Sequence, residues 1–439
     1  MTNSNEEESL MHPPNENTAL LSSSNEDESL EVLKDYIKPI FASFFISIVA
    51  GLNDGSLGLI LPNLKEYYDI SDKTISLLFL YSACGFFTSA LLNGYIVHRL
   101  GQLKTMYLGA GMMLISYSFL MMGFSFSVMK VAIVFTGAGM ALLDAAVNVY
   151  MANIPHATFM LNVLHSVYGI GAMIGPLVAV TLLQFNISWK GMYVFLALCA
   201  LVNIISITIG FYHTDFEEVT AVEVAEPVIN EQSIHASKKD SHAELTRAAI
   251  FNRMTMVGAA NILVYVGAEV TMGGWGYTFL LEGRHGDKIL MGRVMAGYWG
   301  ALAGGRIVLG YLSGRYGEKL MITLFTMGAI GSLVLMMITT DIILNATVVV
   351  LVGFLLGPMF PTTIALASRV LPRKYHATSI GFMAALGAGG AALFPFIVGQ
   401  IAGELGIVVM PAAVIALATI MMVLWAFIPS DRPFFVAFS

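Results

Sequence analysis

The feature that most constrains this chain is a succession of apolar stretches, each long enough to cross a lipid bilayer. About 20 consecutive apolar residues span the hydrocarbon core as a helix. Twelve stretches qualify, over roughly 37–62, 74–98, 105–124, 128–152, 158–184, 190–212, 249–271, 291–313, 320–340, 344–369, 377–402 and 408–428. A bilayer core offers no water to the peptide groups, so each stretch must satisfy its own backbone as a helix. The expected fold class is an all-α membrane protein with twelve transmembrane helices. Of 439 residues, 57% are hydrophobic and 12% charged, too few charges to cover a soluble globule. A soluble enzyme, a disulfide-rich secreted module and a disordered chain are excluded. The spans leave no room for a separate catalytic domain. Cys84 and Cys199, the only cysteines, lie in apolar runs, so neither a disulfide framework nor a Cys-ligated metal site is expected. No cofactor and no nucleic-acid partner is expected either.

Residues 1–36 read as a disordered acidic cytosolic tail, holding nine acids and no apolar period. A first six-helix bundle is expected over 37–213, a cytosolic linker over 214–248, a second six-helix bundle over 249–430 and a short tail over 431–439. With the N-terminus cytosolic, the inner segments hold fourteen Lys and Arg and the outer ones seven. That bias places both termini inside. Two sequons, at Asn186 and Asn345, then fall in outer loops. In the tail, Glu16-Asn-Thr-Ala-Leu20-Leu21 fits the acidic dileucine pattern read by clathrin adaptors. Glu16, Leu20 and Leu21 are therefore candidate sorting residues, and vacuole or lysosome is the expected destination, with the plasma membrane as the alternative.

An internal repeat divides the chain. Gly94-x4-Arg99-x-Gly101 lies between spans two and three, and Gly310-x4-Arg315-x-Gly317 between spans eight and nine, 216 residues later. A second echo joins Gly169 to Pro176 in span five with Gly387 to Pro395 in span eleven. Two six-helix halves with matching loops are the signature of a transporter built from repeats. The loop sequence resembles the major facilitator superfamily motif that follows the second and eighth helices. His98 and Gly314 stand where that motif usually has Asp, so the resemblance implies the fold but not the usual helix-gating ion pair of that loop. Three further segments resemble the fucose/glucose-type proton symporter branch and its fungal-like sugar-transporter relatives. These are Leu143-Asp144-Ala-Ala-Val-Asn148, Gly51-Leu-Asn-Asp54-Gly55, and Tyr265-Val-Gly-Ala-Glu269 through Trp275.

Polar residues inside the spans are few, and a charge at mid-bilayer costs about 2.5–3.5 kcal/mol on insertion scales. Asp54 lies about 25 Å from the inner end of span one. It is either a protonatable coupling carboxylate or a helix-end acid capped by water. Asp144 and His165 lie about 10–12 Å deep on consecutive helices. They form either a pair that changes protonation or a static hydrogen bond, with Asn148 and Asn162 at a shallower level. Asn261, Tyr265 and Glu269 recur at i, i+4 and i+8 on one stripe of span seven. With Trp275 beyond them and Trp299 in span eight they suit a polyhydroxylated ligand, since amide and acid bind hydroxyls and an aromatic face packs on a ring. Polar contacts between helices are the alternative. Arg306 is expected either to pair with an acid at an inner gate or to snorkel. Gly94, Arg99, Gly101, Gly310, Arg315 and Gly317 are the remaining gating candidates.

The sequence thus predicts a secondary transporter, acting by alternating access on a small polar organic solute, a monosaccharide foremost. The expected coupling ion is the proton, with sodium as the alternative, and the expected state is a monomer in the bilayer. A uniporter or exporter of an amino acid, drug or nucleoside, and a non-transporting receptor of the same fold, are the competing readings.

Overall fold

The computed structural model describes residues 36–155, 157–214 and 244–430, with no description of the Asn162 side chain. The sorting residues Glu16, Leu20 and Leu21, nearly all of the linker and the C-terminal tail lie outside the described residues. Among those described, no strand occurs. The helices are α1 (Ile37–Tyr68), α2 (Asp72–Leu100), α3 (Gln102–Met122), α4 (Phe126–Ala152), α5 (Ala157–Gln184) and α6 (Lys190–Phe211) in the first half. The second half has α7 (Arg253–Thr278), α8 (Lys288–Tyr316), α9 (Glu318–Ile338), α10 (Ile342–Leu356), α11 (Met359–Val370), α12 (His376–Leu405) and α13 (Met410–Phe427). α10 and α11 form one span, interrupted at Gly357-Pro358. Eleven spans are apolar enough to cross a membrane on that criterion alone. α8 is not one of them, because Arg306 and many glycines lower its hydropathy, although its 29 residues are ample in length.

Several helices outrun the apolar stretches that announced them. α1 continues through Pro62 to Tyr68, and α7 continues past 271 to Thr278 with a π-helical turn, Phe279–Gly283. Hydropathy reports only the part of a helix in hydrocarbon, whereas the hydrogen-bond ladder runs on into the interface. Side-chain caps then set the ends. Ser71 accepts from the Thr74 N–H, Asn252 from Met254, Asp287 from Ile289 and Leu290, and Asp341 from Leu344.

The repeat has a backbone cause. Gly101 (φ 82°) and Gly317 (φ 101°) both adopt a positive φ that a side chain would strain, and both close the preceding helix with their N–H. Asp69 and His285, also 216 residues apart, are again both at positive φ. Gly94 and Gly310 face open space, so neither close packing nor backbone strain requires them. Helix pairing repeats in the same way. α1 packs on α5 as α7 packs on α12, α2 on α4 as α8 on α10, and α3 on α6 as α9 on α13. Between the halves, α5 packs on α8 as α2 packs on α12. The chain is thus two six-helix pseudo-repeats joined along two symmetry-related seams.

The halves meet tightly at the end that carries the loops after α1, α7 and α12. There Lys65 binds Asp72 at 2.6 Å and Glu282 at 3.0 Å, Lys73 pairs with Glu404, and Gln400 donates to the Lys73 carbonyl. Gly58 touches the Gly273 and Gly274 backbone, where any Cβ would collide. Toward the opposite end Asp144 and His165 are exposed to a cavity. Among the described residues, the ion pairs that join the halves lie at the first of these ends.

Candidate functional site

The site begins with close helix contact. Gly51 and Gly55 on α1 lie against the backbones of Tyr168 and Ala172 on α5, while Gly171 and Gly175 return the contact to Ile48 and Leu52. A Cβ at any of the four would strike main-chain atoms. Small residues spaced four apart let two helices approach in lipid, where dispersion and interhelical hydrogen bonds hold them together. This contact brings the midspan polar groups of α1 into register with Tyr168.

The polar groups form a chain. The Tyr117 hydroxyl donates to Asn53 Oδ1 at 3.0 Å, the Asn53 amide donates to Asp54 Oδ1 at 3.0 Å, and the Tyr168 hydroxyl donates to Asp54 Oδ2 at 2.7 Å. Asp54 thus has a donor on each carboxylate oxygen, as a half-buried charge requires. It is a coordinated midspan acid, not a helix end capped by water.

Two cavities flank it. The first, about 250 Å³, lies between the halves. Its first-half wall carries Asn53, Asp54, Ser56, Ser82, Thr136, Tyr168 and Tyr193. Its second-half wall is Val270, Gly274, Trp299, Ala388, Ala391 and Ala392. The second cavity, about 240 Å³, is lined entirely by the first half and includes Ser47, Asp144, His165 and Tyr168.

The sequence candidates distribute unevenly over this geometry. Asp54, Asp144, His165 and Trp299 line cavities. Asp144 and His165 share a wall as expected, yet no ion pair joins them. Asp144 accepts instead from Asn148 Nδ2 at 2.9 Å, one turn along its own helix. Asn148 lines neither cavity.

The span-seven residues lie away from both cavities. Asn261, Tyr265 and Trp275 are fully buried and line neither cavity, and Trp275 packs against Phe79 of the first half. Asn261 lies 3.5 Å from Thr363 Oγ1 and Met359 Sδ, and the Trp275 indole donates to the Pro395 carbonyl at 2.8 Å. Glu269 receives Arg306 at 3.0 and 3.3 Å, and its carbonyl accepts from Tyr298. The cavity sees Val270 and Gly274, one residue on. A step of one residue turns a helix by about 100°, so the stripe was placed on the right helix but turned inward.

Arg306 pairs with an acid as anticipated, but with one of its own half, so the pair is not an inner gate between halves. Arg99 stacks on Tyr95 and Arg315 on Tyr316 at their helix ends. At that end the second half is tied by Arg369, which binds buried Glu318 at 2.7 Å. Residue types alone did not announce Asn53, Tyr117, Tyr168, Ser82 or Thr136. Nothing along their own helices distinguishes them, and the available signal was the spacing of Gly51-x3-Gly55 and Gly171-x3-Gly175, which marks the helices that touch.

A midspan carboxylate and a cavity held between two pseudo-repeated bundles are the layout of a membrane transporter built from repeats. The sequence model of the Major Facilitator Superfamily matches residues 43–395 and again 258–436. The chain belongs to that superfamily, whose members are transporters and not enzymes. It is 27% identical over 411 residues to Bypass of stop codon protein 6 of Saccharomyces cerevisiae, covering 89% of this chain and 82% of that one. Among solved structures it is similar to a D-xylose-proton symporter, with a TM-score of 0.73, 11% identity and coverage of 90% and 98% of the two chains. It is also similar to a bacterial homolog of the human lysosomal transporter Spinster in an inward-facing, occupied conformation. That match has a TM-score of 0.65, 13% identity and coverage of 89% and 95%. These structural likenesses speak to the fold.

Proposed function

We propose that this protein is a proton-coupled secondary transporter of a small polar organic solute, a monosaccharide foremost, related in mechanism to the fucose/glucose-type symporters. The observation that carries the reading is Asp54, held by Asn53 and Tyr168 on the wall of the cavity between the halves. A carboxylate at that place can take a proton and meet a solute hydroxyl in one conformation. Ser82, Thr136, Asn53 and Tyr193 supply further hydroxyl-binding groups, and Trp299 supplies an indole face. Asp144 and His165 are two further proton-exchanging groups, on the wall of the other cavity. The D-xylose-proton symporter provides a precedent for proton–pentose coupling on this fold.

In this reading residues 37–213 and 249–430 are the two bodies that rock, and the basic loops put both termini in the cytosol. Lys65, Lys73, Glu282 and Glu404 then latch the outer end. Residues Glu16, Leu20 and Leu21 address the protein through a clathrin adaptor to a vacuolar or lysosomal membrane.

The test is uptake into liposomes holding purified protein. Under an inward acid gradient, labelled D-glucose, D-galactose, D-xylose or L-fucose is expected to accumulate. Asp54→Asn is expected to abolish accumulation while sugar counterflow persists. Uptake indifferent to the gradient and to Asp54→Asn refutes the coupling. A second reading has its own observation: apart from Trp299 the second-half wall is entirely apolar, which suits a solute with one unhydroxylated side, such as a nucleoside or an apolar amino acid. Uptake of those in place of sugars would decide for it.

A further inference from the structure

Two side chains that hydrogen-bond strongly, Asp54 and Tyr168, are common to both cavities, and the other shared residues are Phe86 and Met140. The Tyr168 hydroxyl donates to Asp54 Oδ2 at 2.7 Å. Its backbone is pressed against Gly51, so the ring starts from a fixed point. α5, which carries it, is also the helix through which the first half packs on α8. At that seam the next residue, Gly169, faces Ala303 of α8, three residues before Arg306. One phenol therefore stands between the midspan acid of the first half and α8 of the second.

We propose that Tyr168 is the positioning residue that converts the charge state of Asp54 into engagement of the second half. This rests on the proton-coupled reading above. While Asp54 is charged, the phenol donates to it and is held in the first half. A proton arriving from water in the second cavity settles on the carboxylate, which Asp54 exposes to that cavity directly. A neutral carboxyl donates and no longer demands a donor. The phenol then accepts from it, and its own O–H is free to donate into the cavity it shares with Trp299 of α8. No bond other than the Asp54 O–H forms or breaks, and the phenol stays neutral throughout.

The groups that face this pair are few. Asn53 lies beside Asp54 on α1, Tyr117 reaches in from α3 and Asp144 from α4. His165 stands on α5 and Tyr193 on α6, while Glu269 and Arg306 come from α7 and α8. The wall from α2 offers Ser82, Ala83 and Phe86, none of which titrates.

The experiment pairs infrared difference spectroscopy with transport in liposomes. The Asp54 carboxyl band is identified by its loss in Asp54→Asn. In Tyr168→Phe that band is expected to appear at higher pH by about one unit, because a donor to the charged form is gone. Gradient-driven accumulation of the four sugars is expected to fall about tenfold, the factor one pH unit carries, and by more than counterflow does. Should Tyr168→Phe fail to fold, 3-fluorotyrosine at position 168 keeps the ring and donates more strongly, so the band is expected to shift to lower pH. A band unmoved in both variants overturns the proposal, whatever the sugars do. A moved band with undiminished accumulation overturns the coupling role. If none of the sugars is carried by the wild type, the monosaccharide reading fails and the infrared midpoint still decides the place of Tyr168.

Discussion

Arg306→Met provides the sharpest stability test. Glu269 is 6% exposed, and Arg306 Nη2 approaches its two oxygens at 3.0 and 3.3 Å. Removing the arginine leaves a carboxylate enclosed by the second half with no cation beside it. Breaking a buried pair from one side costs ~3–5 kcal/mol, since the survivor keeps its desolvation penalty. The reverse deletion is milder. The Arg306 side chain is 22% exposed, so without Glu269 it retains some hydration, and Glu269→Gln still offers it an amide oxygen. We expect a loss of ~1–2 kcal/mol there. Replacing both, as Arg306→Met with Glu269→Gln, removes the stranded charge and should recover most of the loss. Melting of purified protein, followed by intrinsic tryptophan fluorescence, reads these as a drop of about 5 °C for Arg306→Met and a smaller one for the other two. The ordering is the test. If the double variant melts no higher than Arg306→Met alone, Glu269 was not stranded and the electrostatic account of this pair is wrong.

Other outcomes follow from packing and caps. Gly55→Val puts a branched side chain into the Ala172 backbone and should destabilise by ~1–3 kcal/mol through overpacking, seen as a lower melting temperature. Trp275→Phe removes the indole bond to the Pro395 carbonyl and should cost ~0.5–1.5 kcal/mol with solute affinity unchanged, whereas Trp299→Phe should weaken affinity, because of the two only Trp299 lines the cavity. Titration of binding against melting separates the two. Lys65→Gln combined with Lys73→Gln removes the ionic latch between the halves. The labelling rate of a cysteine placed at Ser76, now fully buried, should rise, and an unchanged rate counts against the latch.

What was legible beforehand follows from where the information resides. Helix number and class were legible because the bilayer imposes one length and one hydrogen-bonding solution on every span. The twofold repeat was legible because a positive φ at Gly101 and Gly317 can be met cheaply by glycine alone, which leaves a fixed mark in the sequence. Asp54, Asp144 and His165 stood out because a titratable group in a span is costly and therefore rare. Asn53, Tyr117 and Tyr168 did not, since nothing along their own helices marks them and their value lies in a partner on another helix. The stripe of Asn261, Tyr265 and Glu269 shows the same limit from the other side. Its residues share one face of α7, and that face lines neither cavity.

The sequence by itself determined the all-helical membrane fold, the two equivalent halves and the acids available to act within them, because these depend on local backbone geometry and on the transfer of each segment from water. The tertiary structure alone decided which face of each helix meets the cavity, that Glu269 spends its charge on Arg306, and that Tyr168 completes the Asp54 site. A rotation of about 100° separates a buried residue from its cavity-facing neighbour. Periodicity fixes only relative angles along one helix, and the absolute rotation comes from interlocking with the others.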